Sequence, residues 1–154
     1  MKREKDAMTA SFDFTLARPA EEQAALLAAL ERFGEKRKLL PPLRYRLGLV
    51  VDELISNCIA HGTVPGLDTT IRVFITDLED KVVIEIIDTG PRFDPSTHPI
   101  SRCPEKGPAA IGGMGLCLVR NLAADFVYTR GQSSNHLRIT LAKASQEPEC
   151  NSRK

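Results

Sequence analysis

Two hydrophobic rhythms alternate along the chain, and their succession predicts the order of its elements. Residues 11–17, SFDFTLA, set apolar and polar positions in turn, the period of a half-buried strand. From Arg18 to Lys38 the leucines and alanines fall on a helical period instead. Pro19, Glu21 and Glu22 open this helix and Lys36, Arg37 and Lys38 close it, the charge order that the helix dipole favours. Pro41 and Pro42 break the chain and start a second helix over about 42–61, which Gly62, Pro65 and Gly66 end. The runs TTIRVFITDL and KVVIEIID, separated by Glu79 and Asp80, predict a hairpin. Between Asp88 and Gly113 prolines and glycines replace the apolar pattern, which predicts a long loop; a loop of that length inside a domain usually serves function. GLCLVRNLAADF is helical again, and FVYTR and NHLRITLAK predict a second hairpin. The order β-α-α-β-β-loop-α-β-β predicts an α+β two-layer sandwich, with a mixed, mainly antiparallel sheet covered on one face by helices.

Composition narrows the function without choosing it. A chain of 154 residues suits one domain, expected over 11–144 between a flexible N-terminus (1–10) and a polar tail (145–154). The formal net charge of +1 gives no argument for direct nucleic-acid or membrane binding. MKREKDAMTASFDF lacks the apolar core of a signal peptide, and no run approaches the roughly 18 apolar residues of a membrane span. The four cysteines, at 58, 103, 117 and 150, form no CxxC pair; neither zinc nor a disulfide framework is expected, and a reduced, cytoplasmic protein is.

Three stretches carry candidate chemistry. In VVDELISNCIAHG, Glu53, Asn57 and His61 recur every four residues along one edge of the second helix, beside a broad apolar face. A single asparagine oxygen suits magnesium, which completes its shell with waters and phosphates, and a carboxylate one turn away suits a general base. Taken alone, the same edge reads more readily as a polar border with a helix-end histidine. In IIDTGPRFDP a buried strand ends at Asp88, and Gly90 lets the backbone come close to a ligand whose amino group the carboxylate accepts; an Asx-type turn is the competing reading. In AAIGGMGLCLVRNL, Gly112, Gly113 and Gly115 lie at a helix start, where converging N–H groups and the positive helix end cradle phosphate. No GxxxxGK[ST] is present, so this is not a P-loop.

Together and in this order, the three stretches resemble a known family. The chain is similar to the GHKL (Bergerat-fold) ATP-binding superfamily, and within it to the small bacterial anti-sigma-factor serine/threonine kinases. ELISNCIAHG resembles the N box, DTGPRFDP the G1 box and GGMGLCLVRNL the G2 box, over roughly residues 12–143. The resemblance implies ATP and Mg2+ as cofactors. It implies that Glu53 is the general base toward a serine or threonine hydroxyl, Asn57 the magnesium ligand, and Asp88 with Gly90 the adenine-recognition pair. Gly112, Gly113, Met114, Gly115 and Leu116 would belong to the lid end and helix start around the phosphates. The implied partners are an anti-sigma-factor antagonist of the STAS type as substrate, a sigma factor as the sequestered protein, and a second copy of the chain.

This sequence also departs from the pattern. Where the superfamily commonly has DxGxG, the second glycine is Arg92, either a phosphate contact or a solvated charge, the latter favoured. His61 either lines the phosphate region or caps and packs. A threonine usual near the last strand is absent; SSNHLRI offers Asn135 there. Arg120 reads as surface charge. The alternative to a kinase is a nucleotide-responsive binding protein without significant transfer; the retention of both Glu53 and Asn57 favours the kinase.

Overall fold

The computed structural model describes residues 10–62, 65–97 and 114–144. In chain order these form β1 (Ala10–Leu16), α1 (Pro19–Lys36), α2 (Pro41–Gly62), β2 (Ile71–Asp77), β3 (Lys81–Asp88), α3 (Met114–Leu122), β4 (Asp125–Arg130) and β5 (Asn135–Ala142). Both expected hairpins form, β2 with β3 and β4 with β5. The five strands make one sheet in the order β1-β2-β3-β5-β4, and each ladder is antiparallel. The expected α+β sandwich is therefore the fold, with helices on one face of the sheet.

Strand alternation explains which face is covered. Val73 and Ile75 on β2, Ile84 and Ile86 on β3, and Leu137, Ile139 and Leu141 on β5 all point to the helices and are buried. Opposite them, α2 supplies Leu47, Val50, Val51, Leu54 and Ile55, and α1 adds Leu26 and Leu30. Each such side chain contributes about 1.5–3 kcal/mol by leaving water. The apolar arc of α2 is wide because this helix packs against α1, α3 and β3 at once. Its polar residues are thereby confined to the narrow edge that carries Glu53, Asn57 and His61.

Element ends have local causes. Pro19 stands in the first turn of α1 and the Glu22 carboxylate accepts from the Arg18 backbone N–H at 2.9 Å. The helix stops at Lys36, before the expected Lys38, because Lys38 turns into the left-handed region (φ 56°) and Leu39 N–H closes back on the Gly34 carbonyl. At the same corner Asp77, 2 % exposed, takes the Arg37 Nε on one oxygen (2.8 Å) and the Lys143 Nζ on the other (2.6 Å), tying α1 to the ends of β2 and β5.

Helix α3 ends at Leu122, short of the expected Phe126. The Ala124 N–H bonds the Thr140 carbonyl of β5 at 2.8 Å, so the backbone has joined the sheet before the helical pattern of side chains runs out. Two other expectations are corrected. Arg120 is not plain surface charge: its guanidinium donates to the Pro95 carbonyl and clips α3 to the loop after β3. Cys117 is disulfide-bonded rather than a reduced core thiol, whereas Cys58 is free and buried.

Candidate functional site

One end of the β3–β5 ladder, the C-terminal half of α2 and the start of α3 meet at a small polar site. Asp88, the last residue of β3, sits opposite Asn135, the first of β5. Its carboxylate is 6 % exposed and its contacts differ between the two oxygens. Oδ1 accepts from the Gly90 N–H and from Asn135 Nδ2, each at 2.9 Å. Among the described residues, Oδ2 accepts only the weak thiol donor of Cys58, at 3.6 Å. Burial, then the Asp88 charge and this hydrogen bond, push the Cys58 thiol far up, so it stays protonated and donating. Oδ2 is thus the oxygen with acceptor capacity to spare, beside a cavity lined by Asn57, Cys58, His61, Asp88 and Phe93.

Gly90 is a glycine for space. A Cβ there would lie 2.9 Å from Asp88 Oδ1 and 3.2 Å from the Gly62 Cα, so the loop passes between the carboxylate and the end of α2 only without a side chain. Thr69 holds that end of α2 by donating its hydroxyl to the Gly62 carbonyl at 2.8 Å.

Glu53 lies one helical turn before Asn57, half-buried, against the start of α3. A Cβ on Gly115 would overlap Glu53 Oε2 and stand 2.6 Å from its Cδ. The Glu53 carboxylate therefore lies against the first described residues of α3. Burial first, and the neighbouring Asp52 second, raise the Glu53 carboxyl above the ordinary glutamate range. The obstacle to a larger residue at 115 is the far end of a flexible side chain. Gly115→Ala is therefore expected to leave the melting temperature within a few degrees of wild type while pushing the carboxylate aside. It should slow any reaction that Glu53 serves by about 10²-fold, the scale of a 1 Å misplacement, and a steady-state assay beside a melting curve checks both halves.

The other sequence candidates are distributed unevenly. Asn57 is half-buried and makes no side-chain hydrogen bond among the described residues. The His61 ring lies flat on Phe93, with centroids 3.9 Å apart and planes at 10°. Arg92 is exposed and does not line the cavity. Leu116 is a core side chain, 3 % exposed. Met114 begins α3, and Gly112 and Gly113 fall outside the described residues. Sequence reasoning missed Cys58, Tyr128 and Arg130. The alternation of β4, which sets Phe126, Tyr128 and Arg130 on one face, was the available signal for the last two.

A helix-covered antiparallel sheet with a buried strand-end carboxylate, a close glycine and an asparagine-bearing helix edge at one end defines the GHKL, or Bergerat-fold, ATP-binding class. Residues 16–141 match the histidine kinase-like ATPase domain family, and the chain belongs to it. It is similar to the serine/threonine-protein kinase BtrW of Bordetella bronchiseptica, 29 % identical over 120 residues that make up 76 % of this chain and 83 % of that protein. Among solved structures, the RsbU and RsbW domains of a Mycobacterium tuberculosis protein share the fold, with a TM-score of 0.57 at 12 % identity over 88 % of this chain; the match spans 34 % of that longer polypeptide. The chain is accordingly an ATP-binding domain of the histidine kinase-like ATPase family.

Proposed function

We propose that the chain is a protein serine/threonine kinase of a partner-switching module, transferring the γ-phosphoryl group of ATP to an anti-sigma-factor antagonist of the STAS type and sequestering a sigma factor in turn. The observation that carries this reading is Glu53: a carboxylate raised above its ordinary range, packed against Gly115 of α3 and one turn from Asn57. A protein that only binds nucleotide has no use for a base at that point. The similarity to BtrW supports the same class of acceptor.

In this reading Asp88 Oδ2 accepts the adenine amino group, Gly90 lets the base lie close, and the N–H groups at the start of α3 receive the phosphates. Glu53 takes the proton of the acceptor hydroxyl as its oxygen bonds to the γ-phosphorus, and ADP departs with the electrons of the broken bond. Magnesium would neutralise phosphate charge. The donor set suits that ion: no group of three His, Cys, Asp or Glu side chains capable of holding a metal occurs among the described residues, whereas Asn57 offers the single neutral oxygen that suffices when phosphates and waters supply the rest. The cavity is about 20 Å³, room for one water and not for a purine. In this reading the cavity widens when nucleotide binds.

No helix of the described residues is long and apolar enough to cross a membrane, and the reading is of a cytoplasmic protein, paired as a homodimer. Thermal unfolding with ATP, with and without magnesium, tests the pocket. At about 100 times its dissociation constant the nucleotide should stabilise the fold by roughly 2.7 kcal/mol, several degrees for a domain of this size. Asn57→Ala should remove the magnesium-dependent part. A wild-type melting curve that millimolar ATP does not move would overturn the proposal.

A further inference from the structure

Asn135 is 3 % exposed, and its carboxamide is fully engaged. Nδ2 donates to Asp88 Oδ1 at 2.9 Å and to the Pro91 carbonyl at 2.8 Å. Oδ1 accepts from the Tyr128 hydroxyl at 2.6 Å and from Arg130 Nη1 at 3.0 Å, and the same Arg130 nitrogen donates to the Gly90 carbonyl at 3.0 Å. The orientation of the amide is unambiguous, because a guanidinium can only donate whereas a carboxylate and a backbone carbonyl can only accept.

Two consequences follow. An amide with both N–H groups and both lone pairs committed has nothing left for a ligand, so Asn135 does not itself contact a base. It does fix which carboxylate oxygen of Asp88 remains available. With Oδ1 held by Gly90 and Asn135, the carboxylate cannot rotate about its Cβ–Cγ bond without breaking two hydrogen bonds. Oδ2 is left on the side of Cys58, which lines the cavity together with Asp88. The network reaches this point from β4, at the sheet edge, through Tyr128 and Arg130.

We propose that Asn135 is a positioning residue for base recognition, turning Asp88 so that Oδ2 meets the exocyclic amino group of a 6-aminopurine, with Tyr128 and Arg130 holding Asn135 in turn. This rests on the nucleotide-binding reading above. The discrimination between a 6-amino and a 6-oxo purine then runs through a residue that touches neither.

The test compares ADP with inosine diphosphate, which has an oxygen in place of the amino group, by titration calorimetry in magnesium. Wild type is expected to prefer ADP. Asn135→Ala should weaken ADP by about tenfold, the order of one hydrogen bond to a charged group, and leave inosine diphosphate almost unchanged, so that the ratio of the two affinities collapses. Tyr128→Phe removes one hydroxyl and keeps the ring; it should move the ratio the same way by about threefold. Should Asn135→Ala fail to fold, Tyr128→Phe decides alone. A parallel loss for both nucleotides would make the role merely structural and overturn the proposal, as would ratios equal to wild type. Wild type binding both nucleotides equally overturns the inference and leaves the nucleotide site standing; wild type binding neither removes both.

Discussion

Glu53→Gln is expected to lower transfer to the antagonist by about 10²–10⁴-fold, the range of a general base, with ATP affinity nearly unchanged. Glutamine keeps the shape that fits against Gly115 and removes only the ability to take a proton. The sign of the pH dependence follows from burial. Because the Glu53 carboxyl is raised, it becomes protonated at a higher pH than an ordinary glutamate. Transfer should therefore fall as pH drops through that raised value, and this acid limb should be missing from the residual activity of the glutamine variant. The same shift has a cost in the fold. Folding favours the protonated form, so the stability Glu53 contributes is present at acid pH and lost as pH rises through the raised value. At neutral pH the permanently neutral glutamine variant should melt no lower than wild type. Single-turnover transfer from labelled ATP, run beside melting curves, measures both. Equal transfer by the two proteins would remove Glu53 from the mechanism, and no transfer by wild type would favour the binding-only alternative.

Asp77→Ala is expected to lower stability by about 2–3 kcal/mol, or about 5–10 °C in Tm, without touching the nucleotide site. The carboxylate is 2 % exposed and holds two cations at once, Arg37 at 30 % and Lys143 at 27 % exposure. The exposure of the cations sets the size of the effect. Once the carboxylate is gone both can hydrate, so the loss falls short of the roughly 3–5 kcal/mol seen when a charge is stranded in a core. Because the three groups act as a unit, adding Lys143→Ala to Asp77→Ala should cost almost nothing further. Denaturant melts of the two singles and the double check this. Additive losses, or a Tm within about 1 °C of wild type, would show that the corner is held by packing alone.

The elements were legible because each carries its own pattern. SFDFTLA alternates, KVVIEIID is a short, nearly continuous apolar run, and α2 repeats its apolar residues around a wide arc, so local sequence suffices for them. The end of α3 was not legible, since Ala124 leaves the helix for a hydrogen bond to Thr140, a residue 16 positions on whose neighbourhood depends on strand order. The site divides in the same way. Glu53 and Asn57 are spaced on one helix, and Asp88 and Gly90 share one turn. Cys58 reads as an ordinary apolar-face residue until β3 is seen to place Asp88 beneath it. Likewise the alternation of β4 sets Tyr128 on the inner face without naming its partner; the β4–β5 register, pairing Arg130 with Asn135, brings Tyr128 and Asn135 within reach.

The strand order also bears on how the chain is made. β5 follows the other four described strands in the chain, yet it lies inside the sheet, between β3 and β4. Until it emerges, the three strands β1-β2-β3 end in the open edge KVVIEIID, whose unpaired N–H and C=O groups offer a template to any passing strand. Asn135 arrives with β5, so the carboxylate of Asp88 is oriented in the same event that closes this edge. A nascent chain is thus exposed to misassociation for as long as it lacks the proposed nucleotide site, and the two conditions end together.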